Sequence, residues 1–260
     1  MPDLLLAVDI GNSYTKLARW RGTALDGPIS FLPTNPDATA NELAGALRDL
    51  GVVAPHRIVI GSVVPDAEMA WAALAERTGE VELFLARGTT PTPLTNRYRT
   101  PERLGVDRLA AAVGAWGLTS GAAVVIHLGT ATTVDGVSAA GEYLGGAIAP
   151  GVSTAAKALL RDAARLPQDW WEQRGDRMDA PPRALGLTTE ESLDAGLVFG
   201  MAGLVKELGE RVAAELGGVP RWALTGWWAP LVAPLLGREI AVVPHLILDG
   251  LRRIWLHNRP

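Results

Sequence analysis

A strand–turn–strand pattern that occurs twice is the feature that most constrains the fold of this 260-residue chain. Residues 8–15, VDIGNSYT, align without a gap with residues 126–133, IHLGTATT, which begin 118 positions later. In both segments an apolar run leads into a glycine and short polar side chains, and a second strand-like run follows. Two such hairpins can coincide by chance, but one repeat of this length favours a duplication and not a solenoid. We therefore predict two half-domains, residues 1–117 and 118–260.

The periodicity of apolar residues predicts a mixed α/β chain. The predicted strands are residues 4–8, 15–20, 28–32, 57–64, 81–86, 122–126, 133–138, 222–224 and 239–243. The predicted helices are residues 41–50, 66–77, 107–116, 153–165, 190–216 and 246–255. A glycine-rich segment without a predicted strand follows residue 138.

Composition and charge exclude several classes of protein. The net charge is −4, so no basic field would attract nucleic acid or an anionic membrane. The absence of cysteine excludes thiol catalysis, thiolate metal sites and disulfides. The N-terminus lacks a basic segment and Asp9 interrupts its apolar run, so we predict no signal peptide. No apolar run approaches the ~20 residues of a membrane helix. We expect a cytoplasmic protein that binds neither nucleic acid nor membrane.

The two turns have the composition of a phosphate cradle. Each offers backbone N–H groups and short hydroxyls, and glycine lets the backbone approach a phosphate group. Asp9, at the end of the first strand, could hold Mg²⁺ through water. The sequence has no Walker motif and no Gly-x-Gly-x-x-Gly after a strand, which disfavours P-loop and Rossmann sites. One such hairpin would more often be an ordinary β-turn, whereas two in register favour a phosphate site.

The segment Gly105-Val106-Asp107-Arg108 begins the helix before the predicted domain boundary. Asp107 has a simple interpretation as a carboxylate favoured by the helix dipole, with Arg108 as its solvated neighbour. In a kinase, Asp107 would instead accept a proton from an alcohol and Arg108 would bind the anionic transition state. Phosphoryl transfer needs mainly positioning, a metal ion and positive charge, so these residues would suffice.

Together and in this order, the motifs resemble those of the type III pantothenate kinases, a family related to sugar kinases, actin and the heat-shock ATPases. The most specific segment is YLGGAIAPG at Tyr143–Gly151. The other matching segments are Asp9–Ser13, Gly61–Pro65, Tyr98 with Pro101, Gly105–Arg108, His127–Thr133, Leu166–Pro167, Thr189–Ser192 with Gly196 and Gly200, and Pro244–Leu251. The resemblance implies an α/β fold of two duplicated ribonuclease-H-like (actin-like ATPase) half-domains with a nucleotide cleft between them.

The resemblance also implies a function. Members of the family phosphorylate pantothenate to 4'-phosphopantothenate with ATP, the first step of coenzyme A biosynthesis. They are homodimers that use Mg²⁺ and a monovalent cation, K⁺ or NH₄⁺. By this resemblance Asp107 is the expected general base, with Arg108 beside it, and Asp9 is the expected Mg²⁺ ligand.

The remaining site residues are carried over in the same way. The residues expected to contact ATP and its Mg²⁺ are Asp9, Gly11, Asn12, Ser13, Tyr14, Thr15, Lys16, Gly129, Thr130, Thr132 and Gly226. The residues expected to hold pantothenate are Tyr98, Gly105, Val106, Asp107, Arg108 and Thr189.

Two positions depart from the family pattern. His127 stands where the family has an aspartate that binds the monovalent cation, and neutral imidazole is a poor ligand for a hard alkali ion. This substitution has three alternative consequences. The first is loss of the cation site, and the second is that a protonated imidazole, whose unperturbed pKa is about 6.5, supplies the positive charge. The third is loss of activity. Trp227 replaces the second glycine of the family's Thr-Gly-Gly, where it could stack on adenine or fill the pocket. Trp228 has the simpler interpretation of a core residue.

These departures leave two alternatives to a pantothenate kinase. A catalytically impaired homologue would act as a binding or regulatory accessory protein. A kinase for another small alcohol would differ in the residues beside Tyr98.

Overall fold

The structure is a computed structural model that describes residues 4–52, 56–79, 81–174, 178–181 and 183–259. Its strands are β1 (Leu4–Ile10), β2 (Tyr14–Arg21), β3 (Ala24–Leu25), β4 (Ser30–Pro33), β5 (Arg57–Ser62), β6 (Glu82–Ala86), β7 (Thr95–Asn96), β8 (Ala123–Leu128), β9 (Ala131–Val137), β10 (Glu142–Pro150), β11 (Arg221–Thr225) and β12 (Ala241–Val242). Its α-helices are α1 (Ala40–Asp49), α2 (Pro65–Thr78), α3 (Val106–Thr119), α4 (Val152–Asp162), α5 (Trp170–Arg174), α6 (Thr189–Leu216), α7 (Ala229–Val232) and α8 (Leu246–His257). Short 3₁₀ helices cover Pro101–Arg103 and Ala233–Leu236.

The chain divides into two compact units. The first comprises Met1–Leu118, Gly141–Tyr143 and His245–Pro260, and the second comprises Thr119–Ala140 and Leu144–Pro244. The C-terminal helix α8 therefore belongs to the first unit, although it ends the chain. The half-domains 1–117 and 118–260 describe a duplication in the sequence, and they stay a prediction.

The first unit contains a sheet with the order β3-β2-β1-β5-β6, and β4 also pairs with β2. Strand β1 is buried along its whole length, as expected for a continuous apolar strand covered on both faces. It runs antiparallel to β2 and parallel to β5. The register places Asp9 opposite both Lys16 of β2 and Gly61 of β5.

Helix α8 packs against this sheet and against α3. A Cβ atom at Gly61 would lie 2.7 Å from Leu251 Cδ2, so the small residue lets α8 approach β5. A Cβ atom at Gly250 would lie 1.8 Å from the carbonyl oxygen of Ala110, so α8 and α3 are in backbone contact. The position of α3, which begins at the Gly105–Arg108 segment, is thus fixed by close packing.

Local sequence signals mark the ends of two of the helices. Helix α1 begins with a capping box, in which Thr39 accepts from the backbone N–H of Glu42 and Glu42 accepts from that of Thr39. The backbone hydrogen bond from Thr39 lowers the pKa of the Glu42 carboxyl group. Helix α2 begins at Pro65 and ends before Gly79, whose φ of 66° is in the left-handed region.

The second unit is built on a sheet with the order β12-β11-β8-β9-β10. Strand β8 is antiparallel to β9 and parallel to β11, the same relationships that β1 has with β2 and β5. Four tryptophans lie in the described core of this unit: Trp170, Trp171, Trp222 and Trp228. The ring centroids are 5.8 Å apart for Trp170 and Trp171 and 6.1 Å apart for Trp171 and Trp228. Trp222 packs so closely on α6 that a Cβ atom at Gly209 would lie 2.1 Å from its ring.

Most predicted elements are confirmed, with shifts of a few residues at their ends. The main error concerns the glycine-rich segment after residue 138, which contains the nine-residue strand β10. The first strand, predicted for residues 4–8, also continues to Ile10, because Asp9 and Ile10 are paired with β2. Among the residues that the structure describes, none of the helices is long and apolar enough to cross a membrane.

Candidate functional site: two glycine turns and the start of helix α3

The first turn carries a buried acid paired with a lysine. Asp9 is 3% exposed at the carboxyl end of β1. Lys16, directly opposite in β2, places its Nζ atom 3.3 Å from Asp9 Oδ2. A half-buried ammonium group beside a carboxylate and next to an exposed turn is an arrangement suited to an anionic ligand and its metal ion.

The turn between β1 and β2 is held in shape by Thr34. The backbone N–H of Gly11 donates to the Tyr14 carbonyl at 3.1 Å, which closes the turn. Thr34 Oγ1 donates to the Gly11 carbonyl at 2.7 Å and lies 3.0 Å from Thr15 Oγ1. The Thr34 backbone N–H donates to the Ser13 carbonyl at 3.1 Å. The site residues predicted at 9–16 are therefore brought together, and Asn12, Ser13 and Tyr14 are exposed.

Thr34 was not identified from the sequence. It lies 19 residues beyond its hydrogen-bond partner Thr15, next to the end of β4. A threonine after a short exposed strand carries no local signal of this role.

The start of α3 lies at the same edge of the first sheet as Asp9. The backbone N–H of Val63, just after β5, donates to the Ile10 carbonyl at 3.0 Å. A Cβ atom built on Gly105 would lie 3.9 Å from Val63 Cγ1, so the start of α3 adjoins the end of β5. The carboxyl ends of parallel strands are the usual place for ligands in α/β sheets.

Asp107 is half-buried in the first turn of α3. Its Oδ1 atom accepts a hydrogen bond of 2.9 Å from the Arg108 backbone N–H. A Cβ atom at Gly105 would lie 2.5 Å from this oxygen, so Gly105 provides the space that the carboxylate occupies. The helix dipole and the backbone N–H group favour the ionised carboxylate, the form that a general base requires.

Arg108 and Tyr98 form the second part of this cluster. Arg108 is buried, and its guanidinium carbon lies 5.7 Å from the centroid of the Tyr98 ring. Tyr98 in turn lies 6.2 Å from the fully buried ring of Tyr143. The Tyr98 backbone N–H donates to Asn96 Oδ1 at 2.9 Å. The predicted substrate residues Tyr98, Gly105, Val106, Asp107 and Arg108 thus lie in one region of the first unit.

The second turn is one residue shorter than the first. In the first hairpin Ile10 pairs with Thr15, whereas in the second Leu128 pairs with Thr132. The gap-free alignment is therefore offset by one residue on the return strand. The residue opposite His127 is Thr133, which occupies the place that Lys16 has opposite Asp9.

Two further segments of the second unit closely approach this second turn. A Cβ atom at Gly151 would lie 2.1 Å from the Gly129 carbonyl oxygen, and Thr154 Oγ1 donates to the Thr130 carbonyl at 2.6 Å. Gly226 has a φ of 103°, and a Cβ atom there would lie 2.3 Å from the Leu128 carbonyl oxygen. The predicted residues Gly129, Thr130 and Gly226 are therefore brought together, with close backbone approach at the two glycines.

The other residues of the second unit that were considered from the sequence differ in their burial. Thr132 is fully buried, and its hydroxyl lies 3.4 Å from Met201 Sδ in the core. Thr189 is exposed at the start of α6, a helix capped by the Thr188 side chain. Trp227 is 58% exposed, whereas Trp228 is 4% exposed and belongs to the core, as predicted.

Asp135 is a buried acid that was not predicted from the sequence. It is 1% exposed in β9 and shares a sheet face with Thr133 and His127, since opposite residues and alternate positions point to the same side. A Cβ atom at Gly146 would lie 2.6 Å from its Oδ1 atom. The available signal was a carboxylate in the middle of a predicted strand, because aspartate is rarely fully buried unless it is paired.

Comparisons with known proteins agree with this geometry. The model of the type III pantothenate kinase family matches residues 5–211. The chain belongs to the type III pantothenate kinase family. Relatives named type III pantothenate kinase include one from Roseiflexus castenholzii, 37% identical over 98% of this chain and 100% of its own length. Others come from Anaeromyxobacter sp. (strain Fw109-5), at 35% identity, and Moorella thermoacetica, at 33%, each with the same coverage.

Solved structures that resemble this member of the family show its fold. An archaeal actin homologue superposes with a TM-score of 0.55 at 16% identity, covering 98% of this chain and 100% of its own. A ROK family glucokinase from Streptomyces griseus, solved with glucose and AMPPNP, gives 0.53 at 12% identity, covering 95% and 97%. The expected α/β fold is confirmed, and it resembles the folds of these two proteins.

Proposed function

We propose that this chain transfers the γ-phosphoryl group of ATP to the hydroxyl group of pantothenate, the first step of coenzyme A biosynthesis. The observation that carries the proposal is the similarity to type III pantothenate kinases over 98% of the chain. The clustering of Asp107, Arg108 and Tyr98 at the start of α3 supports the same chemistry.

By the family resemblance, residues of each glycine turn would contact the nucleotide. Backbone N–H groups and hydroxyls at residues 11–15 and 129–132 would contact phosphate oxygens, and Gly226 would lie against the nucleoside. Asp9 fits a Mg²⁺ site, because Mg²⁺ in nucleotide sites takes one or two carboxylates together with phosphate oxygens. The bound ion would neutralise phosphate charge, with Lys16 beside Asp9 adding a fixed positive charge.

Asp107 would act as the general base. The pantothenate hydroxyl oxygen attacks the γ-phosphorus, its proton passes to the Asp107 carboxylate, and the bond between the γ-phosphorus and the β–γ bridging oxygen breaks to release ADP. Arg108, Tyr98 and the backbone at Gly105 and Val106 would position the substrate, with Thr189 as a further contact. The buried guanidinium of Arg108 supplies positive charge for the transferred group.

The residue at position 127 does not fit an alkali cation. Imidazole nitrogen is a poor ligand for K⁺, which prefers oxygen atoms, and Thr133 is the residue opposite it in the sheet. We therefore assign no monovalent cation to this position, and activity should not depend on K⁺ or NH₄⁺.

We also propose that the protein is a cytoplasmic homodimer, as the family resemblance implies. Light scattering at micromolar protein concentration tests the dimer, and a monomer under those conditions contradicts it.

A coupled assay of ADP release tests the proposed reaction. With ATP and Mg²⁺ present, ADP release should require pantothenate, and glucose or glycerol in its place should give only background. ADP release with another alcohol but not with pantothenate would make the chain a kinase of different specificity. A folded protein that releases no ADP with any of them would overturn the kinase assignment.

A further inference from the structure

A cavity in the first unit carries a buried positive charge that the proposed phosphoryl transfer does not use. The cavity has a volume of about 520 Å³ and is formed by β2, β3 and α8. Its walls combine three apolar side chains with three charged ones: Trp20, Leu25, Leu256, Asp249, Arg252 and Arg253.

The cavity is remote from the proposed nucleotide residues of the first unit. Trp20 pairs with Leu5 near the start of β1, whereas Lys16 pairs with Asp9 near its end. The four intervening steps along a strand span about 13 Å. The cavity is therefore distinct from the turn that follows Asp9.

One carboxylate is shared by two arginines at this cavity. Arg252 Nε donates to Asp249 Oδ1 at 2.8 Å, and Arg252 Nη2 lies 2.7 Å from the same oxygen. Arg253 Nε donates to Asp249 Oδ2 at 2.7 Å. Two guanidinium groups and one carboxylate leave an excess of one positive charge.

Arg252 is the arginine of this pair that is more shielded from bulk water. Its side chain is 7% exposed, and its guanidinium carbon lies 5.9 Å from the centroid of the Trp20 ring. Its Nε and Nη2 atoms both contact the Asp249 carboxylate. Water can accept hydrogen bonds from the guanidinium N–H groups, but only an anion also offsets the excess positive charge. Buried charges in proteins are normally paired with an opposite charge.

We propose that this cavity binds a small molecule bearing a carboxylate or phosphate group, with the oxyanion on Arg252. The planar guanidinium fork matches both groups, and its association with Trp20 fixes its orientation. The volume is in the range of small-molecule sites, and Trp20, Leu25 and Leu256 give an apolar part of the ligand a surface to cover.

Calorimetric titration of the full chain tests this site, with a saturating non-hydrolysable ATP analogue present to occupy the proposed nucleotide site. Inorganic phosphate represents ligands with a phosphate group, benzoate represents ligands with a carboxylate group, and benzyl alcohol is the uncharged control. We expect at least one of the two anions to bind with a stoichiometry of one, and benzyl alcohol to bind at least about fivefold more weakly than that anion. Failure of both anions to bind overturns the proposal.

Variants locate the bound anion. Thr23 is an exposed residue at the cavity, so Thr23→Glu adds a negative charge without touching the arginine pair. It should weaken anion binding at least about fivefold, whereas the matched Thr23→Gln should not. Arg252→Met leaves Asp249 paired with Arg253 and removes the excess charge, and it should abolish binding. Equal affinity in either Thr23→Glu or Arg252→Met places the anion elsewhere and overturns the proposal.

Discussion

Lys16 Nζ lies 3.3 Å from Asp9 Oδ2 across the first hairpin, and the two residues are directly opposed in β1 and β2. Asp9 is buried and Lys16 is only partly exposed. Removal of the lysine would leave a buried carboxylate without its cation, next to the turn proposed to bind the nucleotide.

Replacement of Lys16 should therefore impair the use of ATP. We expect Lys16→Met to lower kcat/KM for ATP about tenfold or more, as for loss of a hydrogen bond to a charged group, while Lys16→Arg keeps most of the activity. The matched control is Arg21→Met, which removes the more exposed ion pair of the same strand with Asp26. Equal losses in Lys16→Met and Arg21→Met would contradict a specific role for Lys16.

Asp107→Asn should abolish most of the turnover and leave the fold intact. The amide keeps the shape of the side chain and the acceptor for the Arg108 backbone N–H but cannot take up the substrate proton. We expect kcat to fall about 10²-fold or more. Asp66→Asn is the control, because Asp66 is also a first-turn carboxylate but is exposed on α2. Unchanged kcat in Asp107→Asn would remove Asp107 from the role of base.

The identity of residue 127 should decide the response to monovalent cations. Steady-state rates in Tris buffer should be the same with and without K⁺, whereas His127→Asp should gain activation by K⁺ because a carboxylate supplies oxygen ligands. Strong activation of the unmodified protein by K⁺ would contradict this prediction.

The close packing behind the second turn should make Gly151 intolerant of a side chain. A methyl group at Gly151 would meet the Gly129 carbonyl oxygen, so Gly151→Ala should lower stability by about 1–3 kcal/mol and raise KM for ATP. Gly196 in α6 has nothing within 4 Å of a built Cβ atom, so Gly196→Ala should be neutral or stabilise by about 0.5–1 kcal/mol. Thermal denaturation compares the two variants, and similar effects of both would argue against the packing account.

The sequence specified the hairpins well because apolar runs and glycine turns are local signals. The contacts of the first turn and the burial of Asp135 were less predictable. Thr34 and Thr15, whose hydroxyl groups are in contact, are 19 residues apart in the chain, and Asp135 is buried by the fold of the whole sheet. Strand β10 was missed because its glycines and small residues have low strand propensity, and pairing with β9 overrides that propensity.

For two neighbouring tryptophans the prediction from the sequence is correct in part: it places Trp228 in the core and leaves the position of Trp227 open. Trp227 and Trp228 are identical in chemistry, and the polypeptide direction after Gly226 decides that only Trp228 enters the core. The one-residue difference between the two turns is likewise set by strand pairing, which the gap-free sequence match conceals.

Identification of the reaction product tests the central claim most directly. The full chain, incubated with ATP, Mg²⁺ and pantothenate, should produce a phosphomonoester of pantothenate together with an equal amount of ADP, both visible in the ³¹P NMR spectrum. Inorganic phosphate and ADP without that phosphomonoester, or unchanged ATP in the presence of folded protein, would contradict the assignment as a pantothenate kinase.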